Sequence, residues 1–227
     1  MILDREMVSA TELAFIADVN DRDVNRLVDE RILPDFLFKT ENGRRFDRSA
    51  AVFARFYFDA QYVLTAEARK SVINDLAWRI KDDPVWTFAE CKTYPRKKSV
   101  KSRIDLQVTF QLVKIDLNPL FAVVWERATD AARASATIAS DPEILGGEPV
   151  FAGTRVPIDS VLGSLDEGVT VKRLQTSWPF LNESLIDDAR LYMKLHPRRG
   201  RPRGRSADAD GWKLRSRKVI LSGTGGA

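Results

Sequence analysis

The sequence predicts an α+β protein, mainly α, and three observations carry that expectation. Apolar residues recur at helical spacing, as in Val72, Ile73, Leu76, Ala77 and Ile80, which share one stripe. Strand-like alternation is confined to short stretches, chiefly Ile104, Leu106, Val108, Phe110 and Leu112. Turn signals such as Glu41-Asn42-Gly43 and Gly146-Gly147 punctuate the chain between them. With 227 residues and 44% hydrophobic content, the chain is long enough for one sizeable core or two small ones.

The elements follow in order. Ser9-Ala10-Thr11-Glu12 is an N-cap sequence, and Leu13, Phe15 and Ile16 continue it as a short apolar helix. After Asn20 a second helix is expected, with Val24, Leu27 and Val28 on one face; two short helices so close together read as a helix-turn-helix. Phe36-Leu37-Phe38 and Arg44-Arg45-Phe46 then flank Glu41-Asn42-Gly43 as two strand-like arms of a turn. This stretch resembles the winged helix of the MerR-type regulators, whose wing runs from a Leu-Leu-Pro element, here Ile32-Leu33-Pro34, to a Gly-Tyr-Arg-Tyr-like one, here Gly43-Arg44-Arg45-Phe46. Helices are expected over 49–59 and 65–81, the latter stopped by Asp82-Asp83-Pro84. Trp86 and Phe88 are read as one arm of an antiparallel pair, Ile104 to Leu112 as the other, joined by Lys92 to Arg103. Asn118-Pro119 opens a helix that reaches about Ala136.

The most specific stretch is Gly146-Gly147-Glu148-Pro149-Val150-Phe151-Ala152-Gly153-Thr154-Arg155-Val156-Pro157. Its glycines tolerate positive φ, so 149–151 and 154–156 are expected as the arms of a small hairpin, and Pro157 suits the first turn of a helix. Helices are expected at 157–167, 170–177 and 182–195, with Gly168 past the end of the first and Thr170 and Asn182 as N-caps. From Asp141-Pro142 to about Leu195 the pattern resembles a family of small bacterial domains of unknown function found in antitoxins, with Trp178 where that family usually has Tyr. The layout expected is therefore a winged helix-turn-helix at 1–64, a connector of helix, β-hairpin and helix at 65–136, an antitoxin-like helical domain at 137–196 and a flexible basic tail at 197–227.

Charge is distributed unevenly. Residues 197–227 hold nine Lys and Arg against Asp208 and Asp210, a net of +7, whereas the preceding 196 residues sum to −3. The tail calls for an anionic partner and is too polar to fold alone. Asp4, Arg5 and Glu6 at the N-terminus, with no long apolar run behind them, argue against a signal peptide or membrane span and for a cytoplasmic protein. Cys91 is the only cysteine and His196 the only histidine, so a Cys/His zinc site is excluded and no metal or cofactor is expected. Gly146-Gly147 lacks the Gly-Lys-Ser/Thr of a phosphate-binding loop, His196 reads as a cap or solvated residue, and the carboxylates are scattered, so the chain is not expected to be an enzyme.

Three groups of residues are candidates for binding. In a helix-turn-helix the early part of the second helix meets base edges, so Asn20, Arg22, Asn25 and Arg26 are candidates for DNA contact, with Arg44 and Arg45 of the wing on phosphates. Residues 1–64 nevertheless hold 9 Lys and Arg against 12 Asp and Glu, and a scaffold used for dimerisation or packing is the competing reading. Lys92, Arg96, Lys97, Lys98, Lys101 and Arg103 form a basic stretch that either adds phosphate contacts or is a solvated loop tip. Gly153, Thr154 and Arg155 are either part of a dimer or partner surface or internal ties of the hairpin. The antitoxin resemblance implies a VapB-like antitoxin of a type II toxin–antitoxin pair, a homodimer within a larger complex, whose partner is a PIN-like ribonuclease toxin and which also binds operator DNA. The toxin contacts would then come from the tail: Arg198, Arg199, Arg201, Arg203, Arg205, Arg215 and Arg217, with Trp212, Leu214 and Ile220 as apolar anchors. The alternative is a free-standing winged-helix regulator whose central unit senses a ligand.

Overall fold

Local caps set most of the helix starts. Ser9, Asn20, Thr65, Thr170 and Asn182 each stand extended before a helix and accept a backbone N–H from its first turn. In this computed structural model, residues 7–41, 43–81 and 106–197 are described. The helices are α1 (Ala10–Ala17), α2 (Asp21–Asp29), α3 (Ala50–Asp59), α4 (Ala66–Ile80), α5 (Asn118–Thr137), α6 (Ile158–Asp166), α7 (Val171–Ser177) and α8 (Glu183–Leu195). The strands are short: β1 (Met7–Ser9), β2 (Phe38–Lys39), β3 (Arg45–Asp47), β4 (Gln107–Phe110), β5 (Val113–Asp116), β6 (Ile138–Ala139) and β7 (Val150–Phe151). The fold is α+β and mainly α, as the sequence predicts.

Asp18 closes α1 in the left-handed region, with φ 58°, and α2 starts three residues later, which gives the helix-turn-helix. The wing sheet has the order β1-β3-β2, both pairs antiparallel, with Val8 and Phe38 flanking Phe46 on its buried side and Ser9 and Lys39 flanking Arg45 on the other. Two details differ from the sequence reading of the wing. Asp35–Leu37 form a 3-10 turn after Pro34, so the first arm begins only at Phe38. The strand Met7–Ser9 has no alternating pattern of its own and exists because β3 offers it a ladder.

Each of the two other predicted hairpins contains a strand pairing that the sequence does not mark. Gln107–Phe110 pairs with Val113–Asp116 through a two-residue turn in which Gln111 has φ 54°, so the alternation stops at Phe110 and Leu112 sits at the exposed tip. The Trp86–Phe88 arm, the 82–84 stop, Cys91 and the basic stretch 92–103 lie outside the described residues. Val150–Phe151 pairs chiefly with Ile138–Ala139 rather than with 154–156, because α5 delivers its last turn directly alongside. The 151–156 loop still closes on itself: Phe151 N–H donates to Val156 O at 3.1 Å, and Val150 bridges Pro157. Gly153 at the tip has φ 75°, a conformation that a side chain would oppose.

Among the described residues, two apolar clusters fill the interior. The larger has 31 buried residues and runs from Val8 through α1, α2, α3, α4 and α5, with Leu195 of α8 added at its edge. The smaller has seven: Ile138, Phe151, Ile158, Val161, Leu174, Leu181 and Ala189. The chain divides into units after Pro197, and the tail candidates from Arg198 to Ile220 lie outside the described residues. No helix among the described residues is long and apolar enough to cross a membrane.

Candidate nucleic-acid interface

The six predicted DNA-contact residues lie on α2, its N-cap and the wing, and the structure gives them unequal freedom. Asn20 is consumed by capping: its Oδ1 accepts the Asp23 N–H at 2.9 Å and its amide donates to the Asp23 carboxylate. Asn25 spends both ends of its amide, donating to Asp21 O at 2.9 Å and accepting from Arg44 Nη1 at 2.9 Å. Arg26 is held by two acids on its own helix, with Nε donating to Glu30 at 2.9 Å and Nη1 to Asp23 at 3.3 Å. The hydrogen bond it donates to Glu30 is the main reason its guanidinium is held still more firmly protonated than usual.

Arg44 joins the wing to α2. Its guanidinium grips Asp29 at 2.5 and 3.3 Å in the bidentate manner suited to a planar fork, and the same Nη1 also donates to the Asn25 carbonyl at 3.3 Å. Arg22 and Arg45 differ from the other four. Both are exposed, and neither makes an ion pair or side-chain hydrogen bond with another described residue. Arg22 sits in the first turn of α2, and Arg45 is on the outward side of the central wing strand.

The register adds a residue that sequence reasoning missed. Lys39 of β2 stands directly opposite Arg45 of β3, and both are exposed. Like charges facing each other across a ladder oppose the fold slightly. No local signal marks Lys39; only the strand pairing places it beside Arg45. His196, at the end of α8, is close enough for Arg45 to bear on it electrostatically. The surrounding protein is the main cause of its lowered pKa, with Arg45 adding to the effect and Glu12 opposing it. Its ring lies 4.4 Å from that of Tyr192, and its N–H caps α8 by donating to Tyr192 O at 2.9 Å.

Beneath the sheet, Glu12 and Arg48 form a buried pair at 3.2 Å that ties α1 to the start of α3, so the wing is built on a fixed base. Behind α2, an open cleft of about 720 Å3 separates the 31–36 connection from α4, with Arg31, Phe36, Lys70, Asn74 and Trp78 among its walls. The Trp78 ring is 5.3 Å from Phe36, and Lys81 Nζ lies 4.1 Å above it. In the Gly-Thr-Arg element, Thr154 Oγ1 donates to Phe151 O at 2.8 Å and accepts from Val156 N–H at 3.1 Å, so it ties the loop together. Arg155 is exposed and makes no pair with another described residue. Among the described residues no three metal-ligating side chains come together.

The fold thus places a helix-turn-helix with a three-stranded wing ahead of a small helical domain. Residues 138–193, which form that domain, match a protein family of unknown function, DUF433. Along most of its length the chain is similar to the uncharacterized protein y4eO of Sinorhizobium fredii, with 37% identity over 198 residues, 87% of this chain and 85% of that one. The chain belongs to the same family as y4eO. It also resembles the crystal structure of Rv2018 from Mycobacterium tuberculosis, at 16% identity and a TM-score of 0.35, covering 80% of this chain and 95% of that one.

Proposed function

We propose that this protein is the antitoxin of a type II toxin–antitoxin pair: a non-enzymatic, cytoplasmic binder that neutralises a PIN-like ribonuclease and represses its own operon through the winged helix. The observation that carries the reading is the order of parts within one chain. A winged helix with uncommitted cations at Arg22, Lys39 and Arg45 is followed by a domain whose motif resembles those of antitoxins, and the net positive charge of +7 comes last, after a part of the chain that sums to −3. PIN-like nucleases gather carboxylates around a divalent metal, so an arginine of the 198–217 stretch entering that site would take the metal's electrostatic place while the chain occludes the substrate. The Lys39–Arg45 pair, mildly unfavourable for the fold, is accounted for by a polyanion lying across the wing.

The test has two parts. Co-expression with the protein encoded by the neighbouring reading frame is expected to give a copurifying complex and to rescue growth. Deletion after Leu195 is expected to abolish rescue while leaving a folded protein. Full rescue by the truncated chain would move toxin binding to the Gly153-Thr154-Arg155 surface, and absence of any complex would remove the antitoxin reading. In that event a second reading gains: a free-standing winged-helix regulator, favoured by the cleft between α4 and the 31–36 connection, whose aromatic and cationic walls suit a small organic anion.

A further inference from the structure

We infer that Asp23, Asp29 and Glu30 act as resident counter-ions of the DNA-binding face, suppressing non-specific binding by occupying the two arginines, Arg26 and Arg44, that would otherwise meet phosphates of any sequence. The inference rests on the DNA-binding half of the reading above. Non-specific affinity for duplex DNA comes almost entirely from cations that displace condensed counter-ions from phosphates. On this face five cations are available, and the structure divides them in two. Arg22, Lys39 and Arg45 are exposed without a partner among the described residues, whereas Arg26 and Arg44 are each held by carboxylates within 3.3 Å.

The pairs are arranged to yield rather than to lock. Asp29 is 56% exposed, Arg26 51% and Glu30 44%, and exposed ion pairs contribute little to stability. A phosphate can therefore displace a carboxylate, but each displacement has to compete with the acid left behind. The Asp29–Arg44 grip is bidentate and shares its arginine with Asn25, so it also fixes the wing against α2. Binding that must overcome these acids depends more heavily on the contacts that read base edges, for which Arg22 in the first turn of α2 is placed.

The full chain is compared with Asp29→Asn, Glu30→Gln and the double variant, by fluorescence anisotropy on a labelled mixed-sequence duplex of about 30 base pairs across a series of KCl concentrations. A control variant, Glu183→Gln with Asp187→Asn, removes the same amount of charge from exposed positions on another helix, α8. The expected result is a rise in affinity of about tenfold for the double variant, and a salt dependence steeper by nearly one unit for Arg44, which Asp29→Asn releases, and by less for Arg26, which keeps Asp23, with the control close to wild type. Wild-type protein that fails to bind while the double variant binds gives the same answer in stronger form. Equal affinity and slope for wild type and double variant, or an equal gain in the control, would overturn the inference while leaving the winged helix a DNA binder. No binding by either protein at low salt would remove the DNA reading, and the counter-ion role with it.

Discussion

Asp188 is 2% exposed, and its Oδ1 accepts from Arg133 Nε at 2.9 Å across the α5–α8 contact. A carboxylate that far from water depends on its partner, so removing the arginine costs more than removing the charge that it balances. Arg133 is itself 38% exposed, which lowers the value of the pair below that of a fully buried one. Arg133→Ala is expected to lose about 2 kcal/mol in urea unfolding and Asp188→Asn only about 1 kcal/mol; equal losses would mean that the pair is not what sets the cost. The Gly-Thr-Arg element divides in a similar way. Thr154 holds the loop with two hydrogen bonds, so Thr154→Val is expected to cost about 1–2 kcal/mol. Arg155→Ala should stay within about 0.5 kcal/mol, since nothing among the described residues depends on that side chain. A loss of partner binding by Arg155→Ala at unchanged stability would then assign the arginine to an interface.

Among the elements, Asp18 is the junction. It closes α1 and accepts Arg55 of α3 at 2.7 Å and Arg127 of α5 at 3.2 Å, so one carboxylate pins three helices. The Arg55 hydrogen bond, followed by the Arg127 charge, holds its pKa below the usual carboxylate value. A depressed carboxylate contributes stability that is present above the unfolded pKa, near 4, and is lost as the pH falls through the folded value. Asp18→Asn is therefore expected to flatten the acid side of the stability profile below about pH 4, by less than about 1 kcal/mol because the side chain is 53% exposed. An unchanged acid limb would place the pH dependence on other carboxylates. Such junctions were not legible in the sequence, whereas the helix starts were. Ser9, Asn20, Thr65, Thr170 and Asn182 act within one turn of themselves, and their signals survive any tertiary arrangement. Strand partners are set at long range. The alternation around Val108 marks a strand but not Val113–Asp116 as its mate, and Val150–Phe151 carries no sign that α5 would bring Ile138 beside it. The candidate site divides in the same way: Arg22 and Arg45 are legible from their place in the motif, but the capture of Arg44 by Asp29 spans 15 residues and Lys39 enters only through register.

At the scale of residues 7–197, the two apolar clusters are unequal and share a helix. A cluster of seven buried residues is small for the 138–193 domain to rest on alone, since a domain of about 60 residues buries a modest share of its surface and is marginal by itself. The remainder comes from α8, which turns Ala189, Leu185, Tyr192 and Met193 toward the smaller cluster and Leu191 and Leu195 toward the larger one. Arg127 reinforces the larger side, donating to Phe15 O at 2.7 Å with its guanidinium 4.5 Å from the Phe15 ring, while Lys194 of α8 stands 5.6 Å from the same ring. The helical domain is thus expected to draw its stability from the winged-helix side, and unfolding of the two should be coupled. Leu195→Ala tests this, because the residue is 1% exposed and belongs to the larger cluster. Its loss should cost about 2–4 kcal/mol. Hydrogen exchange should show protection falling by the same free energy in Leu13–Ile16 and in Ile158–Val161. If Ile158–Val161 keeps its protection while Leu13–Ile16 loses it, the helical domain stands alone, and α8 is a tether rather than a shared wall.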